Sequence, residues 1–131
     1  MIRGRLRASR AVRAALLALV IGSTSCVTST KPEGVDCAAP TVDLELTLTD
    51  STLTPGPSVC RGQTVTLRVD SSTDGVLHVH GYDEEIPVLP VARGEVTETT
   101  FEAVRSGQFV IQLHVLEAAD ANVGVLTVHE P

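Results

Sequence analysis

The chain is 131 residues long, enough for one domain. Ten basic residues stand against sixteen acidic ones, a formal net charge of −6, and aromatics are nearly missing, with one Tyr, two Phe and no Trp. Such a chain suits cations or a basic protein better than nucleic acid or anionic headgroups, and its core has to be built mainly from Val and Leu.

Arg3, Arg5, Arg7, Arg10 and Arg13 form a basic leader, residues 14–22 an apolar run, and Ser23, Thr24 and Ser25 a small-residue stretch before Cys26. This is the pattern of a secretory signal, and the apolar run falls short of the roughly 20 residues that span a bilayer. Residues 1–25 are therefore expected to be removed. Five arginines leave with them, so five basic residues remain against sixteen acidic ones, a net charge of about −11. Cys26 resembles the lipid-modified cysteine of bacterial lipoproteins, although Ser23 stands where their motif usually has Leu. The resemblance implies a lipid anchor on Cys26 holding the protein to a membrane of the cell envelope. The alternative is an ordinary signal peptide that leaves Cys26 free or removes it. Three cysteines are an odd number for an exported chain. With Cys26 lipidated, Cys37 and Cys60 remain as one pair, which an oxidising compartment favours as a disulfide. Their separation lacks the close spacing of a Cys/His metal site.

Residues 26–40 read as a lipidated tether and residues 41–131 as the folded domain. Residues 27–36 have no periodic apolar pattern. Val42, Leu44, Leu46 and Leu48 then alternate with acids and threonines over 41–49, a half-buried strand. Thr54-Pro55-Gly56-Pro57-Ser58 turns the chain. A second strand over 63–69 carries Val65, Leu67 and Val69 inward, and 70–75 is a polar loop. The stretch Gly75–Pro87 reads as a strand with Leu77 and Val79 on one face and His78, His80 and Tyr82 on the other. Pro87 and Pro90 make 84–94 an irregular or edge segment, and 95–103 is Thr-rich and β-prone. Ser106-Gly107 leads into a strand over 108–116 with Phe109, Ile111, Leu113 and Val115 on one face. A loop at 117–121 and a last strand over 124–128 complete the pattern. Short strands at this spacing with turn signals between them predict an all-β Greek-key sandwich or barrel.

The paired histidines carry the chemistry. Alternating on one strand face, His78 and His80 fit a metal site, polar residues bonded to backbone carbonyls or carboxylates, or a pH-responsive surface. Asp83, Glu84 and Glu85 offer carboxylates or form a solvated turn, and His129 is expected on the plain surface. No serine-nucleophile elbow, zinc-protease helix motif, phosphate loop or cysteine nucleophile is present; on that ground the chain is expected not to be an enzyme.

Over residues 41–129 the chain resembles the cupredoxins, the plastocyanin- and azurin-like β-sandwiches. Gly75 to Pro87 resembles the segment that leads to their first copper-ligating histidine, which places His78 at an inward ligand position. Phe101 to Ile111 resembles the stretch entering their ligand loop, and Asn122 to Val128 their closing strand. The cysteine position falls on Leu113 by one count and on His114 by the other, and Asn122 stands where the axial Met belongs. Blue copper needs that thiolate, so the departures exclude a type 1 copper site. The family topology sets the strand starting at His78 antiparallel beside the one ending near His114. A site of His78, His80 and His114, with Asp83 or Glu117, would suit Cu(II) or Zn(II). Strand alternation points His114 outward, and a bulge after Leu113 would reconcile it with an inward His78. The resulting expectation is an exported cupredoxin-like protein of the periplasm or outer surface. It would bind or deliver copper or another divalent metal and would not carry electrons by blue copper. The alternative is a non-catalytic interaction module on a metal-free sandwich.

Overall fold

The computed structural model describes residues 34–131; the signal segment, Cys26 and most of the tether lie outside them. Nine strands follow in order: β1 Thr41–Thr49, β2 Thr52–Thr54, β3 Ser58–Cys60, β4 Thr64–Ser71, β5 Gly75–Val79, β6 Leu89–Val91, β7 Glu95–Glu102, β8 Gly107–His114 and β9 Ala121–His129. They build two sheets, one of four strands ordered β2-β1-β4-β7 and one of five ordered β3-β9-β8-β5-β6. β1 runs parallel to β4 and β3 parallel to β9, and the other pairs are antiparallel. The result is the expected all-β sandwich.

Alternation fixes which face of each strand is covered. Leu46 and Leu48 of β1, Val65, Leu67 and Val69 of β4, Leu77 and Val79 of β5, and Ile111 and Leu113 of β8 are buried between the sheets. The polar residues between them face out. The three short strands escaped a periodic reading because each is only three residues long. The segment after Pro87 is an edge strand, as its prolines require, since β6 pairs only with β5.

Tyr82 departs from the sequence reading. It does not share a face with His78 and His80, because β5 ends at Val79 and the chain turns at Gly81, whose φ of 86° favours glycine. The turn drives the Tyr82 ring into the core, where it is fully buried.

Cys37 and Cys60 form the expected disulfide, with Cα atoms 5.3 Å apart. Buried Gln63 reinforces it. Its Oε1 accepts the Cys60 N–H at 2.7 Å, and its Nε2 donates to the Asp36 and Ala39 carbonyls at 2.8 Å each. The segment before β1 is thereby fixed to the domain. The bridge spans 23 residues, and closing a loop of that length in the unfolded chain stabilises the fold by about 3 kcal/mol in the chain-entropy treatment. Cys37→Ala/Cys60→Ala is expected to lower the melting temperature by roughly 15 °C; calorimetry giving an unchanged midpoint would remove the bridge from the account of stability.

Candidate metal-binding face

β5 and β8 lie side by side and antiparallel, with Val76 opposite His114, Leu77 opposite Leu113, His78 opposite Gln112 and Val79 opposite Ile111. Leu77, Val79, Ile111 and Leu113 fill the core. The residues between them therefore share the outer face of the five-stranded sheet: His78 and His80 from the β5 side, Gln112 and His114 from β8. The expected inward placement of His78 is thus corrected. Its neighbours Leu77 and Val79 are both buried, so alternation sends His78 outward with His114. No bulge after Leu113 is needed. A bulge does occur two residues earlier, between Ile111 and Gln112, in the pairing of β8 with β9.

The three imidazoles form a cluster. Ring centres of His78 and His80 are 4.5 Å apart, and those of His78 and His114 are 6.0 Å apart. A metal–nitrogen bond of about 2.1 Å puts an ion about 3.2 Å from a ring centre, so two rings can share one while their centres are within about 6.4 Å. Both spacings meet that limit. Each ring also lies beside an oxygen: His78 Nε2 is hydrogen-bonded to Asp83 Oδ1 and His80 Nε2 to Gln112 Oε1 at 3.0 Å, and His114 Nδ1 makes an ion-pair contact with Asp120 Oδ1 at 3.0 Å. These contacts aim nitrogens at their holders, and among the described residues no three His, Cys, Asp or Glu side chains already converge as a metal-holding group.

Gly75 sets the spacing between the strands. A Cβ there would lie 2.7 Å from the His114 carbonyl oxygen and 2.8 Å from Leu113 Cδ1. Gly75→Ala is expected to cost about 2 kcal/mol as an overpacked contact and to push the end of β8 that carries His114 away from β5. A urea midpoint equal to that of the parent would show that the strands accommodate the methyl.

The turn that presents Asp83 is anchored from beneath. The Tyr82 hydroxyl donates to the Arg105 carbonyl at 2.6 Å and accepts the Arg105 N–H at 2.9 Å. The Arg105 guanidinium lies 4.7 Å from the centre of the Tyr82 ring, binds both carboxylate oxygens of Glu85 at 2.9 Å and reaches the Gly81 carbonyl. The hydrogen bond from His78, followed by that from the Gly81 N–H, holds the Asp83 carboxyl below the usual carboxylate range. Arg105 does the same to Glu85. A depressed carboxyl stabilises the fold above its unfolded value, about pH 4.3 for Glu, and loses that contribution as pH falls through the folded value. Between pH 6 and 3, Glu85→Gln is therefore expected to give a shallower decline of stability than the parent. Superimposable profiles would count against the pair.

Gln112, Asp120 and Asn122 were not anticipated from sequence, although the alternation placing His114 outward also places Gln112 beside it. Asp120, not Glu117, is the carboxylate beside His114. His129 is not loose surface: it ends β9, and its Nε2 lies 2.7 Å from Ser58 Oγ, away from the other three histidines at the Gly107 end of β8. Leu113, one of the two residues at the cysteine position, is 2 % exposed in the core opposite Leu77. Both described cysteines are joined to each other.

No protein-family model and no curated protein matches the sequence. Solved structures do match. A multi-copper oxidase from Pseudomonas thermotolerans aligns with a TM-score of 0.51 at 21% identity, over 69% of this chain and 30% of the oxidase. A copper nitrite reductase from Nitrosomonas europaea gives 0.50 at 18% identity, over 69% of this chain and 42% of the reductase. Auracyanin A, a "blue" copper protein from Chloroflexus aurantiacus, gives 0.50 at 18% identity, over 68% of this chain and 99% of auracyanin. The chain thus spans less than half the length of the first two. These likenesses establish a cupredoxin-like sandwich fold. They also overturn the expectation that the chain is not an enzyme, since an oxidase and a reductase are built on this fold. Missing hydrolase and phosphate motifs say nothing about redox chemistry, which a bound metal carries.

Proposed function

We propose that the chain is an envelope protein that binds copper or another divalent metal through His78, His80 and His114 and passes it on, and that it does not carry electrons as a blue copper protein. The observation that carries this reading is the three-imidazole face, with ring centres 4.5 and 6.0 Å apart on neighbouring strands of a cupredoxin-like sheet. Copper is placed before zinc because fold neighbours include copper proteins and because imidazole and carboxylate suit Cu(II). Against blue copper stands the chemistry of the donors: Cys37 and Cys60 are tied up in their disulfide, and the thiolate of such a centre has no substitute in Leu113. Delivery, rather than permanent retention, suits ligands on an outer sheet face, open to an incoming partner. Export fits the disulfide, which persists in oxidising compartments, and Cys26 is the residue through which lipid would hold the protein to the membrane.

Titration of the purified protein with Cu(II) and Zn(II) tests the reading. Binding of about micromolar affinity or tighter, lost in His78→Ala/His80→Ala, is the expected result. Weaker binding, or binding indifferent to the double substitution, overturns it. Intact mass of the exported protein tests the anchor, because an unmodified Cys26 removes it.

A further inference from the structure

Each imidazole of the face has one ring nitrogen beside a different oxygen, hydrogen-bonded for His78 and His80 and in ion-pair contact for His114. Asp83 Oδ1 and Asp120 Oδ1 belong to carboxylates, whose oxygens are acceptors. The third oxygen belongs to an amide: Gln112 Oε1 faces His80, while Gln112 Nε2 donates to Asn122 Oδ1 at 3.5 Å. The ring nitrogen is the donor in both hydrogen bonds, and the Asp120 carboxylate beside His114 Nδ1 favours the proton on that nitrogen as well. A neutral imidazole has one N–H, so the opposite nitrogen carries the lone pair that a metal takes.

We infer that Asp83, Gln112 and Asp120 are positioning residues, not ligands: they fix the tautomers so that His78 and His80 present Nδ1, and His114 presents Nε2, to the metal. The inference rests on the metal-binding reading and adds which atoms bind. Its strength lies in where the three holders come from. Asp83 sits on the turn after β5, with its Oδ2 accepting the Gly81 N–H at 3.2 Å and its neighbour Tyr82 buried beneath. Gln112 lies within β8, directly opposite His78. Asp120 immediately precedes β9. The backbone therefore places each acceptor independently. An oxygen hydrogen-bonded to a ligating imidazole both orients the ring and raises its basicity, and loss of such a partner typically lowers metal affinity 10- to 100-fold without abolishing it.

Long-range 1H–15N correlation spectra of the 15N-labelled protein, recorded at pH 8 with and without Zn(II), test this. Without metal, His78 and His80 are expected as Nε2–H tautomers and His114 as Nδ1–H. Zinc is then expected to shift His78 Nδ1, His80 Nδ1 and His114 Nε2. Asp83→Ala and Asp120→Ala should each weaken zinc binding about 10- to 100-fold, and Asp83→Asn, whose amide oxygen still accepts, should keep the His78 tautomer. Zinc-induced shifts at His78 Nε2, or opposite tautomers in the metal-free protein, overturn the positioning role while leaving metal binding standing. Zinc binding abolished by Asp83→Ala as completely as by His78→Ala makes Asp83 a ligand and also overturns it. No zinc-dependent shift at any of the three rings overturns the metal-binding reading itself, and the positioning role with it.

Discussion

Replacing Tyr82 by Ala is expected to destabilise the fold by about 4 kcal/mol, the usual cost of emptying a large aromatic site in a core. The chain has one Tyr and two Phe, and all three meet here. The Tyr82 ring stands edge-on to Phe109 with ring centres 4.5 Å apart and to Phe101 at 6.0 Å. The rest of the core is Val, Leu, Ile and Ala, so no other large ring is present among the described residues to refill the space. Tyr82→Phe separates the two parts of the effect. It keeps the ring but leaves the Arg105 N–H and carbonyl without their partner, a loss of about 1–3 kcal/mol. Urea denaturation of the two variants measures both. A Tyr82→Ala cost below about 1 kcal/mol would mean that the surrounding chain collapses into the space, against the packing argument made here. Small domains are stable by only about 5–15 kcal/mol, so the larger substitution threatens the fold as a whole.

The second large effect concerns the metal. His78 belongs to both close imidazole pairs, so His78→Ala should weaken Cu(II) binding by about 100-fold or more, near 2.7 kcal/mol. His114→Ala removes only the wider pair and should cost about tenfold, or roughly 1.4 kcal/mol. His129→Ala should change nothing, because that ring is engaged by Ser58 at the Gly107 end of the sheet. Isothermal titration of the three variants gives the order directly. Equal effects from His78 and His129 would mean that the ion binds without a site.

The long strands were legible because a period of two survives wherever one face is buried. β1 runs over the residues its alternation indicated, and β4, β7 and β8 depart from the reading by a residue or two at their ends. The strands that were missed, Thr52–Thr54 and Ser58–Cys60, are too short to show a period and flank prolines. Extending the alternation past Gly81 places Tyr82 on the histidine face, but the positive φ at Gly81 ends the alternation there. At His78 two signals conflicted. The family resemblance indicated an inward ligand, whereas Leu77 and Val79 on either side already required an outward one, and the local pattern won. The oxygens that hold the rings depend on tertiary placement and left less trace. Gln112 was readable from alternation, while Asp120 sits in a loop whose position only β9 determines. The pairing of Cys37 with Cys60 followed from counting cysteines.

The irregularity between β8 and β9 has a consequence of its own. Ile111 pairs with Gly124, but the next residue, Gln112, pairs with Asn122, so Val123 is skipped and points into the core. An even ladder would set Val123 opposite Gln112, and the amide would have no neighbouring carbonyl to claim its NH2 group. The extra residue thus acts as a frame shift. Val123, a core residue, is the one passed over, and Asn122 stands opposite Gln112 beside the histidines because of it.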